Sequence, residues 1–258
     1  LASITDPESI AIDGMGNVYI NDESNHVIRK ISSSGIISLF AGNGTQGFSG
    51  DGGLATAAQL NGPCAIAADA LGNIYIADQY NYRIRKVNTL GIISTFAGNG
   101  GNNLSGNGLL ATSAQIGMPV CLAIDSVGNV YFGDWLHDVV RKISTSGIIN
   151  AFAGTGTSGY NGDGINAASA KLYQPVSLAI DKLGNVYIGD YYNYRIRKVN
   201  TSGIISTFAG TGNQGNTGNN GLATSAEIVS PNGIAIDEFG NVYFSDSYDN
   251  NIRKVKSF

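Results

Sequence analysis

The sequence predicts an all-β chain folded as a β-propeller of about five four-stranded blades. Three observations carry the prediction. All five prolines, Pro7, Pro63, Pro119, Pro175 and Pro231, stand 56 residues apart, and a fixed step of this size marks a repeat architecture. Each period holds short runs of β-branched, small and aromatic residues between Gly, Asn and Asp clusters, with no helical spacing. Glycine is abundant, at 36 of 258 residues, while the 43% hydrophobic share is enough for a core.

The second period shows the elements in order. Residues 65–68 are small and apolar and read as the first strand. Asp69-Ala70-Leu71-Gly72-Asn73 reads as a tight turn, where glycine takes a positive φ at no steric cost. Ile74-Tyr75-Ile76-Ala77 is the second strand, 82–87 the third and 92–97 the fourth, with turns at 78–81 and 88–91. Four strands per period are one propeller blade.

Other positions keep the same step: Asp13, Asp69, Asp125, Asp181 and Asp237; then Asp22, Asp78, Asp134, Asp190 and Asp246. Arg29, Arg85, Arg141, Arg197 and Arg253 each open an Arg-Lys pair. No insertion breaks the period. Residues 1–258 therefore read as a single domain, with repeat units of approximately 5–60, 61–116, 117–172, 173–228 and 229–258. The last unit stops before a fourth strand, so the ring is expected either to have an incomplete fifth blade or to be part of a six-bladed one. Its edge strand carries Arg253, Lys254 and Lys256, and Leu1 to Thr5, or a strand from another chain, is expected to complete it.

The run Asp-x-x-Gly-Asn-(Val/Ile)-Tyr-(Ile/Phe)-x-Asp, followed by Asn-x-x-(Ile/Val)-Arg-Lys, spans Asp69 to Lys86 and recurs with small changes in all five units. It resembles the NHL repeat, named for a family of six-bladed propellers. Phe40-Ala41-Gly42-Asn43-Gly44 through Gly50-Asp51-Gly52-Gly53 to Gln59-Leu60 is similar to the variant common in bacterial extracytoplasmic arrays, which implies an extracellular or cell-surface location. The resemblance implies a binding module, since NHL propellers bind protein and RNA, while related propellers act as lyases and hydrolases. Fold alone does not choose among these.

Charge and composition narrow the classes. Fifteen Lys and Arg against nineteen Asp and Glu give a net charge of −4, which is the wrong sign for a sequence-independent nucleic-acid binder. No apolar run approaches a membrane span. Residues 1–7 lack the basic start and apolar core of a secretory leader. Two cysteines and two histidines are too few for a metal cluster or a disulfide framework, so Cys64 and Cys121 are expected as buried free thiols. No resident cofactor is expected. Calcium is the single ion to which the Asp51 and Asp163 loops invite attention, and Asn107 and Asn219 stand at the same place without charge.

Residues that recur in every blade serve the blade. The pairs Asp22 and Arg29, Asp78 and Arg85, Asp134 and Arg141, Asp190 and Arg197, Asp246 and Arg253 are expected to hold adjacent strands together, because a guanidinium can grip a carboxylate bidentately. Function then falls to the face that varies. Strands alternate in direction, so the turn after the second strand and the connection of about twenty residues between blades share one face. That turn holds Tyr80, Trp135, His137, Tyr191, Tyr192 and Tyr248, with Tyr82 and Tyr194 one step on. Flat rings with polar tips suit a protein, peptide or glycan. No catalytic set is legible, since His26 and His137 do not repeat. The sequence thus favours a non-catalytic binding or scaffold propeller over a propeller-type lyase or hydrolase, or over a structural subunit of a larger assembly.

Overall fold

The computed structural model describes residues 3–256. The fold is an all-β, five-bladed β-propeller whose last sheet has three strands. The first blade is β1 (Ile10–Ile12), β2 (Val18–Asp22), β3 (Val27–Ile31) and β4 (Ile37–Ala41). The second is β5 (Pro63–Ala68), β6 (Ile74–Asp78), β7 (Arg83–Val87) and β8 (Ile93–Ala97). The third is β9 (Pro119–Ile124), β10 (Val130–Asp134), β11 (Val139–Ile143) and β12 (Ile149–Ala153). The fourth holds β13 (Ile165–Asn166), β14 (Pro175–Ile180), β15 (Val186–Asp190), β16 (Arg195–Val199) and β17 (Ile204–Ala209). The fifth is β18 (Pro231–Ile236), β19 (Val242–Asp246) and β20 (Asn251–Val255). Two compact units divide the chain: one runs to Val130 and includes Ile143–Asn150, the other holds Tyr131–Lys142 and the chain from Ala151 onward.

The recurring Asp-x-x-Gly-Asn run is a carboxylate-capped hairpin. Asp13 Oδ1 accepts the amides of Met15 and Asn17, each at 2.9 Å. Its Oδ2 accepts Asn17 Nδ2 at 2.7 Å and Tyr19 OH at 3.0 Å, and Gly16 supplies a φ of 79°. Asp69, Asp181 and Asp237 repeat this set, with the hydroxyls of Tyr75, Tyr187 and Tyr243 donating at 3.2, 3.3 and 3.2 Å. The motif's tyrosine is therefore spent twice: its hydroxyl ties the turn, and its ring meets the fourth strand's Phe edge-on. The Tyr19–Phe40, Tyr75–Phe96, Tyr131–Phe152 and Tyr187–Phe208 centroids lie 4.7 to 4.9 Å apart.

Branched aliphatics fill the blade seams. In the first unit Ile28, Leu60, Ile76 and Ile93 are wholly buried in one cluster, and in the second Ile196 and Ile228 are. Polar side chains also cross the seams to the carbonyl of the next blade's proline. Asn21 Nδ2 donates to Pro63 O at 3.0 Å, Cys64 Sγ to Pro119 O at 3.3 Å and Ser177 Oγ to Pro231 O at 3.4 Å. Cys64 and Cys121 are free and buried.

The long connections do more than crowd one face. After Gly42 the chain descends to the outer strand of the next blade. There Gly52 N donates to Ile93 O at 2.8 Å, Ile93 N to Gly53 O at 3.0 Å and Ala55 N to Gly91 O at 2.8 Å. The chain then returns through a 3₁₀ turn, Ala55–Ala57, to the buried Leu60. Gly108 meets Ile149 in the same way, and β13 adds itself to β17 as a fifth strand. These three connections thereby cover edges that would otherwise expose unpaired backbone groups.

Thr5 lies elsewhere than expected. Thr5 N donates to Asp22 Oδ1 at 2.9 Å, the bond that Asn61 makes to Asp78 and Tyr173 to Asp190, each at 2.7 Å. Thr5 is thus the entry to the first blade's own β1, held by the carboxylate that ends β2. It is not a strand of the fifth. Leu1 and Ala2, part of the expected closing segment, lie outside the described residues, as do Ser257 and Phe258.

Candidate binding face

The charged frame sets the geometry. Arg29 Nε lies 3.1 Å from Asp22, Arg85 Nη1 3.3 Å from Asp78 and Arg197 Nη1 3.4 Å from Asp190. Asp134 and Arg141 are both wholly buried, and burial pulls the Arg141 guanidinium down against the lift from Asp134. Among the described residues no ion pair joins Asp246 and Arg253. Arg253 donates to Thr217 O at 2.7 Å, to Asn219 Oδ1 at 3.2 Å and to Glu227 O, while Asp246 accepts the amides of Val229 and Ser230. A neutral Asn stands at 219, and Arg253 is held by the connection's Thr217, Asn219 and Glu227.

The connections' own carboxylates are already engaged. Asp51 lies 2.7 Å from Arg85 Nη2 and accepts Thr95 Oγ1 at 2.7 Å, and Asp163 holds Arg197 and Thr207 in the same manner. A guanidinium in contact is the wrong neighbour for calcium. Among the described residues no three His, Cys, Asp or Glu side chains gather as a metal site. Burial pushes Asp78 and Asp190 up to about 6, against the hydrogen bonds of Asn81, Asn193 and the arginines.

The turns after the second strands are short 3₁₀ segments, Glu23–Asn25, Gln79–Asn81 and Tyr191–Asn193. Each ends in a left-handed residue, His26, Tyr82 or Tyr194, with φ of 52° to 54°. In the first unit Tyr80 is 46% exposed, and its ring occupies the space that a side chain at Gly62 would need. His26 Nδ1 accepts the Gly62 amide at 3.2 Å. Burial first, then Glu8 and Asp6, pushes Glu23 up to about 7.

The second unit carries a continuous polar and aromatic rim. His137 Nδ1 lies 2.9 Å from Asp134 Oδ1, and this bond raises the imidazole above its ordinary value. Asp138 Oδ1 accepts the Gln174 amide at 2.8 Å. Next to Gln174, the Tyr173 ring meets Tyr192 at 4.9 Å, Tyr192 meets Tyr191 at 4.8 Å, and Tyr191 shares a hydrogen bond with Ser230 at 3.4 Å. Trp135 is half-buried and Tyr248 is 77% exposed. Tyr194 OH accepts Gln214 Nε2 at 2.5 Å.

Sequence reasoning misses Tyr173, Gln174 and Ser230, because they stand in the approach to the first strand and not in the turn. A signal for Tyr173 existed: its repeat positions are Thr5, Asn61, Gly117, Tyr173 and Val229, as varied as the turn itself.

These features define a repeat propeller with a structural charged frame and a variable rim. Its repeats are NHL repeats, and the chain is an NHL-repeat β-propeller. Residues 43–105 and 155–217 match the teneurin NHL domain. The chain is 30% identical to Teneurin-4 of Mus musculus over 98% of its length, 28% identical to the chloroplastic protein SUPPRESSOR OF QUENCHING 1 of Arabidopsis thaliana over 98%, and 28% identical to NHL repeat-containing protein 2 of Bos taurus over 98%. It spans 10%, 25% and 39% of those proteins respectively. The fold is also that of a chain in a nidogen–laminin complex, with a TM-score of 0.65 at 18% identity over 97% of this chain and 75% of that one. Virginiamycin B lyase of Staphylococcus aureus shares it at 0.60, with 17% identity over 97% and 67%. Among the described residues no helix is long and apolar enough to cross a membrane.

Proposed function

We propose that this propeller is a non-catalytic binding module that recognises a protein or peptide on the rim formed by the turns after the second strands. The observation that carries the reading is the contiguous run Tyr173, Tyr192 and Tyr191, with His137 and Asp138 at one end and Ser230 at the other. Rigid rings with polar tips bury area at little entropic cost and accept varied hydrogen-bond partners. The frame that carries them is repeated from blade to blade and held by its own ion pairs, so rim side chains can change without disturbing the blades. The propeller of the nidogen–laminin complex offers a precedent for protein binding on this architecture, and the Phe40 to Leu60 connection supports display outside the cytoplasm.

The test is an immobilised peptide and glycan array probed with the wild-type chain and with Tyr192→Ala and Tyr191→Ala. Capture of a defined peptide set that falls at least about tenfold in either variant, the worth of one aromatic anchor, supports the reading. Capture unchanged in both variants, or confined to glycans, overturns it.

A further inference from the structure

Asn-Gly is a dipeptide whose side chain can close on its own backbone. The glycine nitrogen reaches the asparagine carboxamide carbon through a five-membered ring, and no Cβ stands in the way. The step is slow because a backbone amide gives up its proton reluctantly. Asn-Gly recurs along this chain, and one copy, Asn61-Gly62, is surrounded by the groups the step needs.

All of these groups belong to the first unit. His26 Nδ1 accepts the Gly62 amide at 3.2 Å. The imidazole is therefore neutral, carries its proton on Nε2, and turns a basic lone pair toward the nucleophile. Tyr80 N donates to Asn61 O at 3.1 Å, which draws charge out of the peptide link whose nitrogen must lose a proton. Gln46 Nε2 donates to Asn61 Oδ1 at 3.0 Å, the oxygen on which charge gathers once that nitrogen adds. Gln46 is held by its pairing with Leu60, and Asp78 Oδ1 accepts Asn61 N at 2.7 Å. Glycine at 62 is itself dictated by packing, since the Tyr80 ring fills the space of a side chain there.

Other copies are engaged differently. The Gly108, Gly221 and Gly233 amides donate to Ile149 O, Gly218 O and Ser245 Oγ, none of them a base. The Asn99 carboxamide is tied at both ends to backbone, accepting Gly101 N and donating to Ser113 O. That of Asn161 is tied in the same way to Lys171 N and Ser169 O.

We propose that Asn61-Gly62 is a self-modification site, with His26 as general base and Gln46 as oxyanion donor for conversion of Asn61 to aspartate and isoaspartate. Gly62 N bonds to Asn61 Cγ as its proton passes to His26 Nδ1. The Cγ–Nδ2 bond then breaks, that nitrogen takes the proton back from His26 and leaves as ammonia. Water opens the resulting cyclic imide at either carbonyl. The product sets a carboxylate next to Asp78 in place of a neutral amide. Its isoaspartate form also adds a carbon to the main chain just before Gly62-Pro63, where Pro63 O accepts Asn21 Nδ2 across the blade seam. None of the tyrosine run takes part, so the binding reading and this one can fail separately.

The experiment follows the whole chain over time at neutral pH by peptide mapping in a mass spectrometer, with isoaspartate methyltransferase labelling. Asn99 and Asn161 are the internal references. Asn61 is expected to convert faster than either, and to slow at least about tenfold in His26→Asn and in Gln46→Ala, while the references keep their rates. Asn250 holds the place of His26 in the fifth unit with a φ of 53°, so this replacement suits the left-handed backbone, and circular dichroism checks the fold of both variants. In urea all three chains should convert Asn61 at one rate. Conversion of Asn61 no faster than that of the references, or a rate unchanged or raised in either variant, overturns the proposal.

Discussion

Arg85 Nη1 lies 3.3 Å from Asp78 Oδ2 with both side chains removed from solvent, and Arg85 Nη2 reaches across to Asp51 at 2.7 Å. One guanidinium thus joins β6, β7 and the connection that crosses the blade's edge. Removing the guanidinium leaves the Asp78 carboxylate buried without a cation, so Arg85→Met is expected to cost about 3 kcal/mol, and Asp78→Asn less, because Asp51 still faces Arg85. The double variant removes both charges and should lose clearly less than the sum. Urea midpoints of the three chains measure this. Additive losses would show that the two side chains do not depend on each other.

Buried acids set the pH dependence. Asp78 and Asp190 rise from 3.8 to about 6, and Glu23 from 4.5 to about 7, each chiefly through burial. A group that holds its proton more tightly folded than unfolded makes stability fall as pH rises between the two values. His137 acts in the same direction, because its contribution is complete below 6.5 and fades as pH climbs through its raised value. Asp13 is held low by Asn17, Tyr19 and Met15 although burial opposes them, so it costs stability only below 3.8. The urea midpoint is therefore expected to be highest near pH 4 and to fall steadily as pH rises toward 8. A flat profile across that range would show that the acids are already ionised at low pH.

Much of this was legible in the residues. The 56-residue step, the Asp69-to-Asn73 hairpin and the strand at 74–77 follow from spacing and turn chemistry, which are local. The grip of Gly52 and Ala55 on Ile93 and Gly91 was not, because backbone groups made those bonds and any glycine-rich loop offers the same atoms. Thr5 looked free to travel, yet Asp22 holds it by a bond that recurs at Asn61, Tyr173 and Val229. On the rim, Tyr191 and Tyr192 could be picked out, while Tyr173 joins them only through the return of a connection 18 residues upstream of Tyr191.

His137 gives a single-site test of the rim's electrostatics. The bond to Asp134 raises its imidazole above 6.5, against burial and the nearby Arg141 charge. Its ring carbons should titrate above 6.5 by NMR. In Asp134→Asn burial and Arg141 are opposed by Asp138 alone, and the midpoint should fall. The backbone amide spectrum establishes that the variant is folded. A midpoint that does not move would remove Asp134 as the cause.

The thiols report on the seam between the second and third blades. Cys64 is buried against Pro119 O, and burial, with Glu8 and Glu23 adding to it, pushes its thiol well above the ordinary range. A thiol that does not ionise is a poor nucleophile. Neither Cys64 nor Cys121 should react with a disulfide reagent in the folded chain at pH 8, and both should react in urea. Rapid labelling of Cys64 without denaturant would show that this seam opens.

Glycine at the end of each fourth strand is required by close approach as well as by conformation. Gly98 has a φ of 86°, and a Cβ there would overlap the carbonyl oxygen of Tyr82, the left-handed residue that ends the preceding turn. Gly42, Gly154 and Gly210 face His26, Asp138 and Tyr194 in the same way. Gly108 is the natural control, since its φ is 80° and nothing lies within 4 Å of where a Cβ would stand. Gly108→Ala therefore carries only the left-handed penalty, about 1 kcal/mol. Gly98→Ala adds displacement of a backbone segment at the rim, and a loss of about 3 kcal/mol or more is expected. Because the atom displaced belongs to Tyr82, the same variant should also disturb amide shifts from Gln79 to Arg83, which Gly108→Ala leaves in place. Equal losses in the two variants would mean that the backbone at Tyr82 yields freely and that the contact does not hold the turn.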